Sequence, residues 1–160
     1  MDVKTIKLKK TVLENNDKDA DRLRSQLKDC GTYYMNIMSS PGSGKTTTLV
    51  STINFLTETE ILPEHRTLEI GVMEADIDSD VDAKTIAEKT GVDAIQLHTG
   101  GMCHLDAEMS RQGLNEIKAQ NLDIVFLENV GNLVCPAEFD TGAVKSAVIL
   151  SVPEGDDKPL

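Results

Sequence analysis

At 160 residues the chain is about one domain long, and with 39% hydrophobic and 27% charged residues it has the make-up of an ordinary globular protein rather than a disordered or fibrous one. Its formal net charge of -11 argues against broad contact with nucleic acid, and no apolar run approaches the roughly 20 residues needed to span a bilayer. The basic opening MDVKTIKLKK lacks the apolar core and cleavage site of a secretory signal, and three cysteines without a secretory context do not suggest a disulfide framework, so a cytoplasmic protein with free thiols or metal ligands is expected.

In chain order, the cluster Lys4, Lys7, Lys9 and Lys10 reads as a solvated tail. Leu13 to Lys28 follows, with Leu13, Ala20, Leu23 and Leu27 at near-helical spacing among charges, the pattern of a docking helix packed on one side. Residues 1–30 are therefore expected as tail and docking helix, with a single domain over 31–160. Cys30, beside Gly31 at the helix end, has no companion and reads as structural. Strands are expected at Tyr33 to Met38, Leu68 to Met73, Ala94 to Leu97, Leu122 to Leu127 and Val144 to Val152, all but the last followed by a Gly-, Asp- or Ser-rich turn. Helices are expected at Lys45 to Thr57, Val81 to Thr90 and Leu105 to Ala119, the last with Leu105, Met109, Gly113 and Ile117 on one face. Alternation of strand and helix predicts an α/β fold, a mostly parallel sheet with helices on both faces in three layers.

The strongest local signal is Ser39-Ser40-Pro41-Gly42-Ser43-Gly44-Lys45-Thr46, placed directly after a strand and before a helix. In a P-loop of this kind, backbone N–H groups wrap phosphates, the helix start adds positive potential, Lys45 bridges the outer phosphates and Thr46 offers its hydroxyl to magnesium. Pro41, Gly42, Ser43, Gly44, Lys45, Thr46 and Thr47 are the expected nucleotide contacts. The pattern departs from GxxxxGK(S/T) at its first position, where Ser39 replaces Gly.

Two acidic strand ends are expected at the same edge of the sheet. Glu74-Ala75-Asp76-Ile77-Asp78-Ser79-Asp80 follows the second strand, and Glu128-Asn129-Val130-Gly131 follows the fourth. Asp76 and Glu128, with Thr46, would hold magnesium, and the N–H of Gly131 could sense a terminal phosphate. Lys45, Asp76 and Glu128 are thus the expected catalytic groups, whereas Asp78, Asp80 and Asp82 read as an acidic helix N-terminus. Cys103-His104 and Cys135 lie in two loops; thiolate and imidazole suit zinc or nickel, and the same residues also read as small buried thiols and a helix-capping histidine. His65 follows Pro63 in a loop without a visible partner, and His98 falls near the phosphate side.

The set SSPGSGKTT, EADIDSDVDA, HTGGMCHLDA, LENVGNLVCPAEFD and SVPEGDDKPL closely resembles the nickel-incorporation GTPases of hydrogenase maturation, the HypB family of P-loop metallochaperones, over nearly all of residues 13–160. The resemblance implies a SIMIBI-like P-loop NTPase fold and a slow GTPase that delivers nickel during maturation of [NiFe] hydrogenase. Its cofactors would be GTP, magnesium, and nickel or zinc. It further implies nickel or zinc ligation by Cys103, His104 and Cys135, and a GTP-dependent homodimer with the metal between subunits. Expected partners are other hydrogenase maturation proteins and the hydrogenase large subunit, with no nucleic acid and no membrane. An N-terminal cysteine motif is missing before Cys30, and no NKxD base-reading motif occurs, so a C-terminally incomplete domain is expected, its phosphate half present and its base half absent or borrowed. The alternative is a non-hydrolytic nickel- or zinc-binding module on a P-loop scaffold.

Overall fold

The computed structural model describes residues 3–8, 15–59, 66–77 and 81–154. Runs such as IGVMEAD and IVFLE are buried along nearly their whole length, which is how central strands covered on both faces read. The longer segments between them bury a narrow stripe; the first helix hides Ala20, Leu23 and Leu27 and exposes most of its charges. In chain order the elements are β1 (Lys4–Lys7), α1 (Asn16–Cys30), β2 (Tyr33–Ser39), α2 (Lys45–Glu58), β3 (Ile70–Asp76), α3 (Val81–Thr90), β4 (Asp93–His98), α4 (Ala107–Glu116), β5 (Ile124–Glu128), α5 (Cys135–Glu138) and β6 (Lys145–Ile149).

The six strands form one sheet in the order β1-β4-β3-β5-β2-β6, and every neighbouring pair is parallel. Because side chains alternate across a strand, each strand feeds two cores. On one face Ile37, Val72 and Phe126 meet Leu49 and Ile53 of α2 and Ile86 and Ala87 of α3. On the other, Tyr34, Met73, Leu97 and Leu127 meet Leu23 and Leu27 of α1 and Met109 and Leu114 of α4. The three-layer α/β arrangement expected from the alternation of elements is present, with the sheet parallel throughout its described strands.

Local chemistry explains the boundaries. Gly31 closes α1 in the left-handed region (φ 79°), with the Gly31 and Thr32 N–H groups donating to the carbonyls of Lys28 and Leu27. Asp106 caps α4 by accepting from the Met109 N–H at 2.8 Å. The expected stripe Leu105, Met109, Gly113 and Ile117 is buried, but α4 ends at Glu116 because Lys118 adopts φ 56° and Ala119–Asn121 turns as a 3-10 helix. Leu68 and Leu122, expected inside strands, precede β3 and β5 and pack against the two cores from below. β6 is shorter than the expected Val144 to Val152.

Lys4 and Lys7 are not part of a solvated tail. They belong to β1, which pairs with the outer edge of β4 while the Leu8 N–H donates to the His98 carbonyl at 3.1 Å. Ile6 and Leu8 pack against the α1/α4 core, and the exposed lysines at both ends of β1 suit the open edge of a sheet. Lys9, Lys10, Leu13, His65, Asp78 and Asp80 lie outside the described residues. Helix α1 is bound into the domain: Arg24 forms a two-pronged bond to Asp140 at 2.8 and 2.7 Å and Leu23 lies against Gly142. Replacing Leu23, only 4% exposed, by Ala should lower unfolding stability by about 2–5 kcal/mol. Urea denaturation checks this as a lower midpoint at unchanged slope.

Candidate functional site

Parallel pairing brings the C-terminal ends of β2, β3, β4 and β5 to one edge, where the loops after them gather. They border a cleft of about 580 Å³ lined by Pro41, Gly42, Gly44 to Thr47, Glu74 to Ile77, Asp82, Thr85 and Asn129 to Gly131. Gly42 and Gly44 adopt φ 75° and 87°, and a Cβ built on either would project into open space rather than against protein. Both positions therefore need glycine for their backbone, and both leave room for a group to approach the loop amides. Ser39, which departs from the usual glycine, is fully buried and donates its hydroxyl to the Ser40 carbonyl at 2.8 Å. It sits in β2 with ordinary backbone geometry, so glycine is not required there.

Glu128 joins the loop to the far strand end. It is 1% exposed; its Oε1 accepts from the Thr46 hydroxyl at 2.7 Å and lies 3.6 Å from Lys45 Nζ, while Oε2 has no hydrogen-bond partner. Burial raises its carboxyl above the usual range, against the opposing pull of Thr46 and Lys45. The loops also touch, since a Cβ on Gly131 would come within 3.1 Å of Pro41 Cγ and 3.3 Å of its Cα. Asp76, at the end of β3, accepts from the Ile77 N–H and faces the same cleft. Lys45, Thr46, Asp76 and Gly131 thus line one cleft, Glu128 lies buried behind it on Thr46, and Thr47 lies on its rim, exposed. Ser43 turns inward to the loop, donating its hydroxyl to Ser40 at 2.9 Å.

Glu74, which the sequence placed in the acidic cluster without a role, is a further member of the site. It pairs in register with Glu128 across β3 and β5, is 3% exposed, and carries an Oε2 without a hydrogen-bond partner. Burial first, then the charges of Glu128, Asp76 and Asp82, push its carboxyl up to about 9, only partly offset by the Gln96 side chain. The signal for it was a lone acid within the otherwise apolar IGVMEA run, since a carboxyl in a fully buried strand demands a reason. Orphaned oxygens on Glu74 and Glu128 beside the Thr46 hydroxyl are a hard, oxygen-only donor set, which fits magnesium.

Cys135, expected in a loop, opens the short helix α5, and there it meets Cys103 from the loop after β4. Hydrogen bonding to Cys103, followed by burial, raises the Cys135 thiol. The His104 ring stacks on Phe139 with centroids 3.8 Å apart and planes 12° from parallel. Among the described residues no three His, Cys, Asp or Glu side chains converge on one point as a metal site. The thiol pair is soft and fits zinc or nickel, but it is two donors, not four. Cys30 is exposed and remote in sequence from the other two. His98 ends β4 with its carbonyl engaged by Leu8.

A glycine-rich loop between a strand and a helix, facing buried acids at the carboxyl edge of a parallel sheet, defines a nucleotide-binding P-loop domain. Residues 33–151 match the model of the CobW/HypB/UreG nucleotide-binding domain, and the chain belongs to that family. It is 44% identical to the hydrogenase/urease maturation factor HypB of Helicobacter hepaticus, covering 98% of this chain and 62% of that protein. It is also 42% identical to the hydrogenase maturation factor HypB of Escherichia coli, covering 93% and 48%. Among solved structures, HypB from Helicobacter pylori in complex with nickel superposes at a TM-score of 0.73 with 39% identity, over 89% of this chain and 63% of that one. HypB from Archaeoglobus fulgidus gives 0.75 and 37%, over 91% and 66%. The chain thus spans about half to two thirds of the length of these relatives. No described helix is long and apolar enough to cross a membrane.

Glu74 has a consequence for stability. Its folded carboxyl stands at about 9 against 4.5 unfolded, so between these values the folded chain keeps a proton that the unfolded chain releases. The stabilisation is complete below the lower value and is lost as pH rises toward the upper one. Urea unfolding should therefore show stability falling between about pH 6 and pH 8.5, by at most about 1.4 kcal/mol per pH unit from this group. Glu74→Gln should flatten that slope, leaving the contribution of Glu128.

Proposed function

We propose that the chain binds and hydrolyses GTP with magnesium, and that this cycle controls the holding and release of nickel during hydrogenase maturation. The observation that carries the reading is the junction of Glu128 with Thr46 and Lys45 behind a glycine loop open to solvent. Backbone amides from Gly42 to Thr46, at the start of α2, would bind the phosphates, and Lys45 would neutralise charge on the outer ones. Thr46, Asp76 and Glu128 would hold magnesium, which supplies charge compensation for the departing phosphate and orients it. Gly131 would set its N–H against the terminal phosphate, and its contact with Pro41 keeps the two phosphate loops in step.

Cys103 and Cys135 would take nickel, or zinc, as cargo. Two adjacent thiols from one chain leave positions that a second copy can fill, so a homodimer with the metal between subunits is part of the proposal. Its relatives are named as hydrogenase maturation factors, and one was solved with nickel, which supports nickel as cargo and maturation proteins and the hydrogenase large subunit as partners. A cytoplasmic setting, where thiols stay reduced, is consistent with this chemistry.

Two measurements test the proposal. Phosphate release from GTP with magnesium should fall at least about 100-fold in Lys45→Ala, because the lysine meets charge that develops in the transition state; equal rates in the two proteins would leave only a metal-binding module. Nickel titration followed by thiolate charge-transfer absorption and by molecular size, with and without a non-hydrolysable GTP analogue, should give tighter binding and a dimer with the analogue. Cys103→Ala should lose both, and its retaining both would sink the shared-site reading.

A further inference from the structure

Strand β2 carries a buried amide where the pattern calls for an apolar residue. Asn36 is 2% exposed, and its side-chain partner Asn129, just past the end of β5, is 1% exposed and lines the cleft. Buried amides are costly unless paired, so the direction of the pairing is informative.

The pairing has one possible sense. The Val130 backbone N–H donates to Asn129 Oδ1 at 2.8 Å, and since that group can only donate, the oxygen end of the Asn129 amide is assigned. Asn129 Nδ2 then donates to Asn36 Oδ1 at 3.0 Å, and Asn36 Nδ2 donates to Ser146 Oγ at 3.2 Å. The Asn129 backbone N–H is also fixed, donating to the Ile37 carbonyl at 2.9 Å. The relay thus runs from an exposed hydroxyl on β6, across β2, to the first peptide after Glu128. At that end the Val130 carbonyl accepts from Asn132 at 2.7 Å, so both polar groups of Val130 are engaged, whereas the Gly131 N–H donates to no carbonyl among the described residues.

We propose that Asn129, held by Asn36 and Ser146, is the positioning residue that aims the Gly131 N–H at a terminal phosphate, so that preference for a nucleoside triphosphate over a diphosphate depends on this buried amide relay. The inference rests on the nucleotide-binding reading and extends it: Lys45 and the glycine loop hold any phosphate chain, while the relay reads its last phosphate. Asn129 acts through its neighbour's backbone.

The test is a ratio, which a general loss of stability would not move. Affinities of the full chain for a fluorescent GDP and a fluorescent non-hydrolysable GTP analogue are measured with magnesium. Asn129→Ala should weaken the triphosphate analogue about tenfold while changing the diphosphate less than about twofold, the size expected for one misdirected hydrogen bond to a charged group. Asn129→Asp keeps the acceptor for Val130 and should retain more of the preference than Asn129→Ala. Asn36→Leu leaves the Val130 bond in place but frees the far end of the amide, and should reduce the preference by a smaller factor. Should Asn129→Ala not fold, Asn129→Asp and Asn36→Leu together decide the matter by the same ratio. Unchanged ratios in folded variants, or parallel loss of both nucleotides, would overturn the relay alone. A wild-type chain that binds neither nucleotide would overturn the nucleotide reading, and the relay with it.

Discussion

A carboxylate buried to 1% exposure at the end of β5 governs the arrangement of the cleft. Glu128 cannot be removed from water without partners, and it finds them in the hydroxyl of Thr46 and the ammonium of Lys45, both in the first turn of α2. This binds the start of one helix to the end of a strand that is distant in sequence and adjacent in space. The glycine loop between β2 and α2 is thereby held at both ends, and its two left-handed glycines form a fixed arch. Gly131 pressing on Pro41 closes the same arrangement from the other side.

The electrostatics of the site follow from one cation facing several acids. Among the described residues Lys45 pairs with Glu128, and Glu74 lies in register beside it without a cationic partner. The result is a pair of buried glutamates held above their ordinary range, one by burial and like charge, the other by burial against the pull of Lys45 and Thr46. A divalent cation at such a site would relieve a repulsion that folding has already imposed. That physical tension connects the stability of the fold to the proposed use of magnesium.

The side that carries the thiols is built differently. Cys103 comes from the loop after β4 and Cys135 from the first position of α5, and only their convergence makes them a pair. His104, the immediate neighbour of Cys103, stacks on Phe139, which follows the short helix α5.

Much of this was legible in the order of residues. The phosphate loop, the acidic strand ends and the alternation of elements are local patterns, and local patterns persist in any fold that contains them. Asp76, Glu128 and Gly131 could be chosen because a parallel sheet sends all its strand ends to one edge. What the sequence could not reveal depended on pairing between distant segments. Lys4 and Lys7 looked like a tail because an edge strand shows few buried residues of its own, and only β4 made it a strand. Glu74 became unusual through Glu128 on the neighbouring strand, and Asn129 through Asn36 and Ser146 on two others. Residue identity along the chain decided which chemistry was present; the lateral register of strands, set by burial of both faces of the sheet, decided which groups that chemistry would meet.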